Sequence, residues 1–367
     1  MFSYRHAFHA GNHADVLKHI VLRQLVAYML RKEKGFAYVD THAGAGYYGL
    51  TGSAAGSATP RNREADNGII RLWQAAKKLP AAIADYLASV QLLNDSDSLQ
   101  YYPGSPFIVA PFIRAQDSMR LCEWHPREII QLRENFSAAT QAKFFSKKAH
   151  HHSIYPLACK PYIVHEDGFK HMRAALPPLT RRGLIMIDPS YENKNDYAAT
   201  RSALSDALTR FPQGIYAIWY PQITRDEAIK FPTQLKRLCS QYSWCHISLS
   251  VKQAAPNRAN VQRLAENAAQ RASRLSYFEH SDDLAKKSLA LSNSLTSSKS
   301  SSPRLISSPT HTANQKNDSH GGLWGSGLFI VNPPYDLSKI LEPALPVLVN
   351  YLAQDSYAKY QLEQQIL

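Results

Sequence analysis

The chain has 367 residues, 44% of them hydrophobic, enough to bury one substantial core with an appendage or two modest domains. Its 42 Lys and Arg against 29 Asp and Glu give a formal charge of +13, which favours a polyanionic partner through counterion release. The four cysteines (Cys122, Cys159, Cys239, Cys245) have neither metal-ligand spacing nor the density of a disulfide scaffold, and no apolar stretch has the length of a membrane span or a signal peptide. A soluble protein of a reducing cytoplasm is expected, with no metal centre and no membrane partner.

In chain order, the first segment interleaves Tyr4, Arg5, His6, Phe8, His9 and His13 around Ala10-Gly11-Asn12. The spacing of His6, His9 and His13 would suit a metal, but the mixture of charge, aromatic surface and a glycine hinge is read as a lid that contacts cofactor and RNA. An ordered arm packed on the first helix is the plainer alternative. Val16, Leu17, Ile20, Val21, Leu25, Val26 and Met29 then recur at helical spacing, with Asn12 and Asp15 placed as a capping box and Gly35 just past the end.

Residues 36–40 form a short apolar run that ends in Asp40-Thr41-His42-Ala43-Gly44-Ala45-Gly46, which reads as a strand and a glycine turn opening a βα unit. Further strands are expected at 118–123, 161–164, 183–188, 214–220, 244–251 and 327–332, with helical patterns between most of them. This alternation predicts a doubly wound α/β sheet. The interval from Gly46 to Ser118 exceeds what a crossover needs and carries helical patterns at 69–76 and 79–92, so a small helical subdomain is inserted there. The expected division is 1–46 for the arm, first helix, first strand and cofactor turn, 47–100 for the insertion, 101–287 for the rest of the core, 288–320 for a disordered Ser-rich insert, and 321–367 for the last strand and C-terminal segment. The run His150-His151-His152 is read as a solvated loop.

Gly44 and Gly46 allow close backbone approach to a ligand, here the methionine part of S-adenosylmethionine; tight packing is the alternative. The spacing is not Gly-x-Gly-x-x-Gly, and no Gly-Lys-Ser/Thr follows. Glu123 can accept both ribose hydroxyls and Asp167 the adenine amino group, although each carboxylate could equally cap a helix. Asp188-Pro189-Ser190-Tyr191 supplies what an aromatic amine needs to become nucleophilic. Asp188 and the Pro189 carbonyl accept its two hydrogens, while Tyr191 offers a face on which the base stacks. Asn332-Pro333-Pro334-Tyr335 matches such a motif more literally, but it follows a strand expected to run antiparallel, so it should lie at the edge away from the cofactor and be structural.

Taken together, Ser3-Tyr4-Arg5-His6, the run from His9 to His19, Asp40 to Gly46, Tyr101 to Pro106, Asp167-Gly168-Phe169, Arg181 through Glu192 and Trp219-Tyr220-Pro221 resemble the bacterial RlmJ family of 23S rRNA adenine-N6 methyltransferases. The resemblance implies a Rossmann-like class I S-adenosylmethionine-dependent methyltransferase sheet with a small helical insertion. It implies cofactor contacts at His19, His42, Ser105, Glu123, Asp167 and Gly168, Asp188 as the catalytic acceptor, and Tyr4 as a substrate-side residue. The partner it implies is 23S rRNA, free or in an early assembly intermediate, acted on by a monomer. Ser190 stands where the family usually has a second proline. Other classes compatible with the motifs are a DNA adenine or protein glutamine methyltransferase, the latter through Asn332, and a non-catalytic RNA-binding protein.

Overall fold

A computed structural model describes residues 6–50, 64–75, 78–94, 98–140, 158–254 and 322–367. The Ser-rich segment 288–320, the loop His150 to His152, and Tyr4 and Arg5 lie outside the described residues. Among those described, no helix is long and apolar enough to cross a membrane.

Helix α1 (His13–Leu30) leads into β1 (Ala37–Asp40). A short ribbon of β2 (Tyr47–Gly49) and β3 (Tyr101–Pro103) encloses α2 (Ile69–Trp73) and α3 (Ala81–Gln91). Next come α4 (Ser105–Val109), β4 (Ser118–Cys122), α5 (Pro126–Asn135), β5 (Tyr162–Val164), α6 (Gly168–Ala175), β6 (Gly183–Ile187) and α7 (Asn195–Arg210). The chain continues through β7 (Ile215–Gln222), α8 (Asp226–Leu238), β8 (Trp244–Ser250), β9 (Gly325–Val331), α9 (Leu337–Leu341), α10 (Ala344–Leu352) and β10 (Lys359–Gln365).

The main sheet has eight strands in the order β10-β8-β9-β7-β6-β1-β4-β5. Strands β5, β4, β1, β6 and β7 are parallel, and β9 runs antiparallel to both β7 and β8. All seven expected strands of this sheet are present; β10 and the β2–β3 ribbon were not anticipated, being polar or only three residues long. Period-two alternation assigns the two sheet faces. Tyr38, Leu184, Met186 and Ala217 join the core under α1, α3 and α10, while Val39, Ile185, Ile187 and Ile218 join the core under α7 and α8. Because β6 is covered on both sides, its Gly-Leu-Ile-Met-Ile sequence is apolar at every side-chain position rather than alternating.

The chain moves outward from β1 to β4 and β5, then returns to place β6 on the other side of β1. Such a reversal opens a crevice at the carboxyl ends of β1 and β6, where ligands of open α/β sheets bind. The inserted helices pack back on α1 within one core, Ile83, Tyr86 and Val90 meeting Leu22, Leu25 and Val26 there.

Two local readings need correction. The N-cap of α1 is a shifted box: Asn12 Oδ1 accepts from Ala14 N and Asp15 N, but Asp15 Oδ2 takes the amide of Gly11 rather than that of Asn12. Gly35 does not terminate α1, which ends at Leu30; it is required by close approach, since a Cβ there would lie 2.0 Å from the Gln116 carbonyl oxygen.

Candidate active site

Four carboxylates follow four neighbouring strands at the same sheet edge: Asp40 ends β1, Glu123 follows β4, Asp167 follows β5 and Asp188 follows β6. Parallel pairing alone forces this convergence. The turn after β1 is held by Thr41 N and Thr41 Oγ1 on the Met186 carbonyl and by Ala43 N on the Cys122 carbonyl, so the loop is tied to both neighbouring strands. Gly44 and Gly46 adopt φ of +59° and +89°, the left-handed region that glycine enters without cost. A Cβ on Gly168 would lie 1.9 Å from the Thr41 carbonyl oxygen, so α6 starts hard against this turn.

Asp40 is fully buried and accepts from Tyr38 OH at 2.7 Å and Ser105 Oγ at 2.6 Å. Burial pushes its carboxyl up to about 6, against these two hydrogen bonds. Ser105 thus serves the turn through Asp40. Glu123 accepts Gly44 N at 2.7 Å on one oxygen and His125 N at 2.6 Å on the other. It is not the cap of the following helix, a task taken by His125 Nδ1. Burial raises the Glu123 carboxyl to about 7, opposed by the two amides. Asp167 does cap its helix, its Oδ1 accepting from Lys170 N at 2.9 Å, while the residue remains exposed at the site's edge.

His42 bonds Thr41 Oγ1 and sits edge-on to Phe169; burial pushes its pKa down to about 4, so the ring is neutral. His19 is wholly buried, Nδ1 paired with Tyr102 OH at 2.8 Å and Nε2 without a hydrogen-bond partner among the described residues, and burial lowers it to about 3. An unpaired buried ring nitrogen costs free energy unless a ligand group meets it.

Asp188 is joined by a residue that the sequence reading did not single out. Lys18 Nζ lies 2.6 Å from Asp188 Oδ2 and 2.8 Å from Asp15 Oδ1, all three side chains being largely buried. Asp15 also pairs with His6 at 2.9 Å. Burial opposes the Lys18 charge, but the two carboxylates hold its pKa above the usual value, and His6 and Lys18 hold Asp15 well below the carboxylate range despite its burial. The second Asp188 oxygen has no hydrogen-bond partner among the described residues. Asp15 and Lys18 are one helical turn apart, a spacing that signals a pair, yet in an apolar helix it marks nothing about a strand far along the chain.

Tyr191 departs from its expected role. Its backbone is left-handed (φ +53°), costing roughly 1–3 kcal/mol for a bulky residue. Its ring is buried among Tyr197, Trp219 and Phe231, and its phenol donates to the Trp219 carbonyl at 2.8 Å. In this conformation it offers no open face to a base and instead anchors the turn. The three N-terminal histidines diverge as well: His6 meets Asp15, His9 meets Glu64 at 2.9 Å, and His13 is buried with Nε2 unpaired among the described residues.

Asn332 follows β9, whose reversed direction carries it to the opposite edge. There its side-chain amide donates to the carbonyls of Pro212 and Gly214, just before β7, and its backbone N–H to that of Ser243. Tyr335 faces solvent. Asn332 is therefore structural and distant from the carboxylate edge.

Comparison with known proteins agrees with this architecture. A crystal structure of a Legionella pneumophila protein superposes with a TM-score of 0.67 at 27% identity, over 97% of this chain and 98% of that one. The ribosomal RNA large subunit methyltransferase J of Escherichia coli is 43% identical over 227 residues, 62% of this chain and 72% of the relative. Its Haemophilus influenzae namesake is 42% identical over 228 residues, 62% and 73% respectively. The family described as ribosomal RNA large subunit methyltransferase D, RlmJ, matches residues 33–259. The chain belongs to the RlmJ family of ribosomal RNA large subunit methyltransferases.

Proposed function

We propose that this protein transfers a methyl group from S-adenosylmethionine to the N6 amino group of an adenine in 23S rRNA. The observation that carries the reading is Asp188, held by Lys18 at the carboxyl end of β6, beside the glycine turn and Glu123 at the ends of β1 and β4. The names of the relatives point to large-subunit RNA, and the net charge of +13 suits a polyanion.

The residues present fit the cofactor. Gly44, Gly46 and Gly168 let the turn pack tightly against Tyr48, Phe107 and the Thr41 carbonyl, which fixes its shape, and Glu123 retains lone pairs for two ribose hydroxyls beyond the amides it already accepts. Asp167 would take the adenine amine, and His19 and His42, both neutral, would lie beside the bound molecule with Ser105 holding Asp40. The bound cofactor supplies an electrophilic methyl on a positively charged sulfur.

An adenine amine is a poor nucleophile because its lone pair is delocalised into the ring. Asp188 through its unpaired oxygen, together with the Pro189 carbonyl, would accept the two amino hydrogens and turn the lone pair toward the methyl. Lys18 fixes the carboxylate's rotamer, so no reorientation is needed as the nitrogen pyramidalises. The methylated ammonium is strongly acidic and gives up its proton without a strong base. Tyr4, Arg5 and His6 are the residues proposed to contact the RNA, and His6 is linked to Lys18 through Asp15.

The test is incubation of the purified protein with labelled S-adenosylmethionine and protein-free 23S rRNA lacking the modification, followed by nucleoside analysis. Labelled N6-methyladenosine, lost in Asp188→Ala and retained in Asn332→Ala, is expected. Label in duplex DNA or a glutamine side chain instead would refute the reading.

A further inference from the structure

The turn after β6 ends in an unusual place for a guanidinium. Arg225, the residue before α8, donates through one Nη to the carbonyl of Tyr191 at 2.8 Å and to that of Glu192 at 3.1 Å. Among the described residues it has no carboxylate within ion-pair distance, although its charge reaches the Asp196 carboxyl, so these two carbonyls are its direct hydrogen-bond partners. Strand β7 lies beside β6, and the loop leaving its carboxyl end therefore passes alongside the turn leaving β6.

The turn needs such a hold. Pro189 fixes its own φ, but Ser190 is exposed, has no ring and makes no side-chain hydrogen bond among the described residues, and Tyr191 beyond it sits in the left-handed region at φ +53°. A left-handed aromatic residue relaxes unless its surroundings over-determine it. Its phenol is fastened to the Trp219 carbonyl and its backbone carbonyl to Arg225, so β7 and its outgoing loop grip both ends of one residue. Charge-assisted bonds of this kind are stronger than neutral ones.

We propose that Arg225 is a positioning residue for methyl transfer: by holding the carbonyls of Tyr191 and Glu192 it fixes the turn that aims Asp188 and the Pro189 carbonyl at the acceptor amine, a duty that a second proline at position 190 would share. The inference rests on the proposed function for its catalytic consequence, while the clamp itself is independent of substrate. Arg225 touches neither acceptor nor cofactor; its effect passes through the backbone.

The experiment uses the full chain as wild type, Arg225→Ala, Arg225→Lys, Ser190→Pro and the double variant Arg225→Ala with Ser190→Pro. Methyl transfer to protein-free 23S rRNA is resolved into kcat and KM, with S-adenosylhomocysteine affinity measured by calorimetry and hydrogen exchange followed across residues 188–195. A displaced turn should lower kcat of Arg225→Ala by on the order of 10- to 100-fold. Its RNA KM and S-adenosylhomocysteine affinity should stay within about twofold, the signature of an interaction felt only in the transition state. Faster exchange across 188–195 is expected with it. Adding Ser190→Pro should restore most of kcat and slow the exchange, and Arg225→Lys should fall between.

A raised RNA KM with a shallower salt dependence and unchanged kcat would make Arg225 a phosphate contact and overturn the proposal, as would a loss of kcat that Ser190→Pro does not rescue. Unchanged exchange in Arg225→Ala would refute the clamp whatever the substrate. If the wild type methylates no RNA while the exchange pattern holds, the functional reading fails and the clamp stands.

Discussion

Lys18 Nζ and Asp188 Oδ2 lie 2.6 Å apart although 170 residues separate them in the chain, and the same ammonium is 2.8 Å from Asp15. One buried cation thus bridges two largely buried carboxylates, one on the first helix and one at the carboxyl end of β6.

Removing that cation takes the counterion from largely buried Asp188 and leaves Asp15 with His6 as its remaining ion-pair partner. Lys18→Ala should cost about 3–5 kcal/mol of stability, the usual penalty for breaking a buried pair. Thermal unfolding checks it, and at a temperature where the variant stays folded, methyl transfer should fall with little change in S-adenosylhomocysteine affinity. A stable Lys18→Ala protein would mean that water or neighbouring groups already compensate Asp15 and Asp188.

On the proposed ribose contact, Glu123 should give cofactor binding a pH dependence of defined direction. Its carboxyl in the ligand-free protein is raised to about 7 by burial, so below that pH the protonated form grows and competes with its role as acceptor. S-adenosylhomocysteine affinity should fall by about tenfold per pH unit from 7 towards 5.5, a dependence that Glu123→Gln removes while lowering affinity at pH 8. Stability shifts the opposite way from the familiar salt-bridged acid. The folded state holds this proton more tightly than the unfolded chain, so no contribution is felt below the unfolded value near 4.5, and the folded state is penalised progressively as pH rises to 7. Carried through the whole window, the penalty is on the order of 3 kcal/mol, and the difference between wild type and Glu123→Gln in ligand-free unfolding at pH 5 and pH 8 measures it, because Asp40 and the buried histidines titrate in the same window.

Gly168→Ala tests the cradle by sterics. The added Cβ would meet the Thr41 carbonyl oxygen at 1.9 Å, a backbone atom at the heart of the turn that cannot move aside cheaply. A loss of about 1–3 kcal/mol is expected, accompanied by S-adenosylhomocysteine affinity falling well beyond what the stability change explains. Wild-type affinity in the variant would show that the turn tolerates the displacement.

Asn332→Ala separates the two aminomethylation-like motifs. It removes two side-chain bonds to the Pro212 and Gly214 carbonyls at a left-handed position, so about 2 kcal/mol of stability should be lost. Methyl transfer by the folded variant should remain, whereas Asp188→Ala should abolish it. Activity lost in both would place Asn332 at the reacting centre, against its position.

Much of this arrangement is legible in the chain. Short apolar runs ending in Asp40, Glu123 and Asp188 are visible as strands, and their alternation with helical patterns implies parallel pairing, which delivers those ends to one edge. The glycines at 44 and 46 are visible as a turn after a strand, whereas their left-handed backbone and the tight packing around them belong to the fold. Even the exclusion of Asn332 follows from the direction expected of its strand. The buried placement of Tyr191 is not legible in the sequence, because composition names a ring but not its side of the turn; the left-handed backbone that swings it into the core is fixed by packing against Trp219 and Phe231.

The sequence by itself determined the sheet, its edge and the acids placed there, because hydrophobic periodicity and turn chemistry are local and act wherever the residues occur. Tertiary structure alone decided that Lys18 on an apolar helix would be the counterion of Asp188, and that Arg225 would close the turn after β6. The energy of those contacts comes from burying charges beside partners that are distant in sequence, and that desolvation has no value until the fold has brought them together.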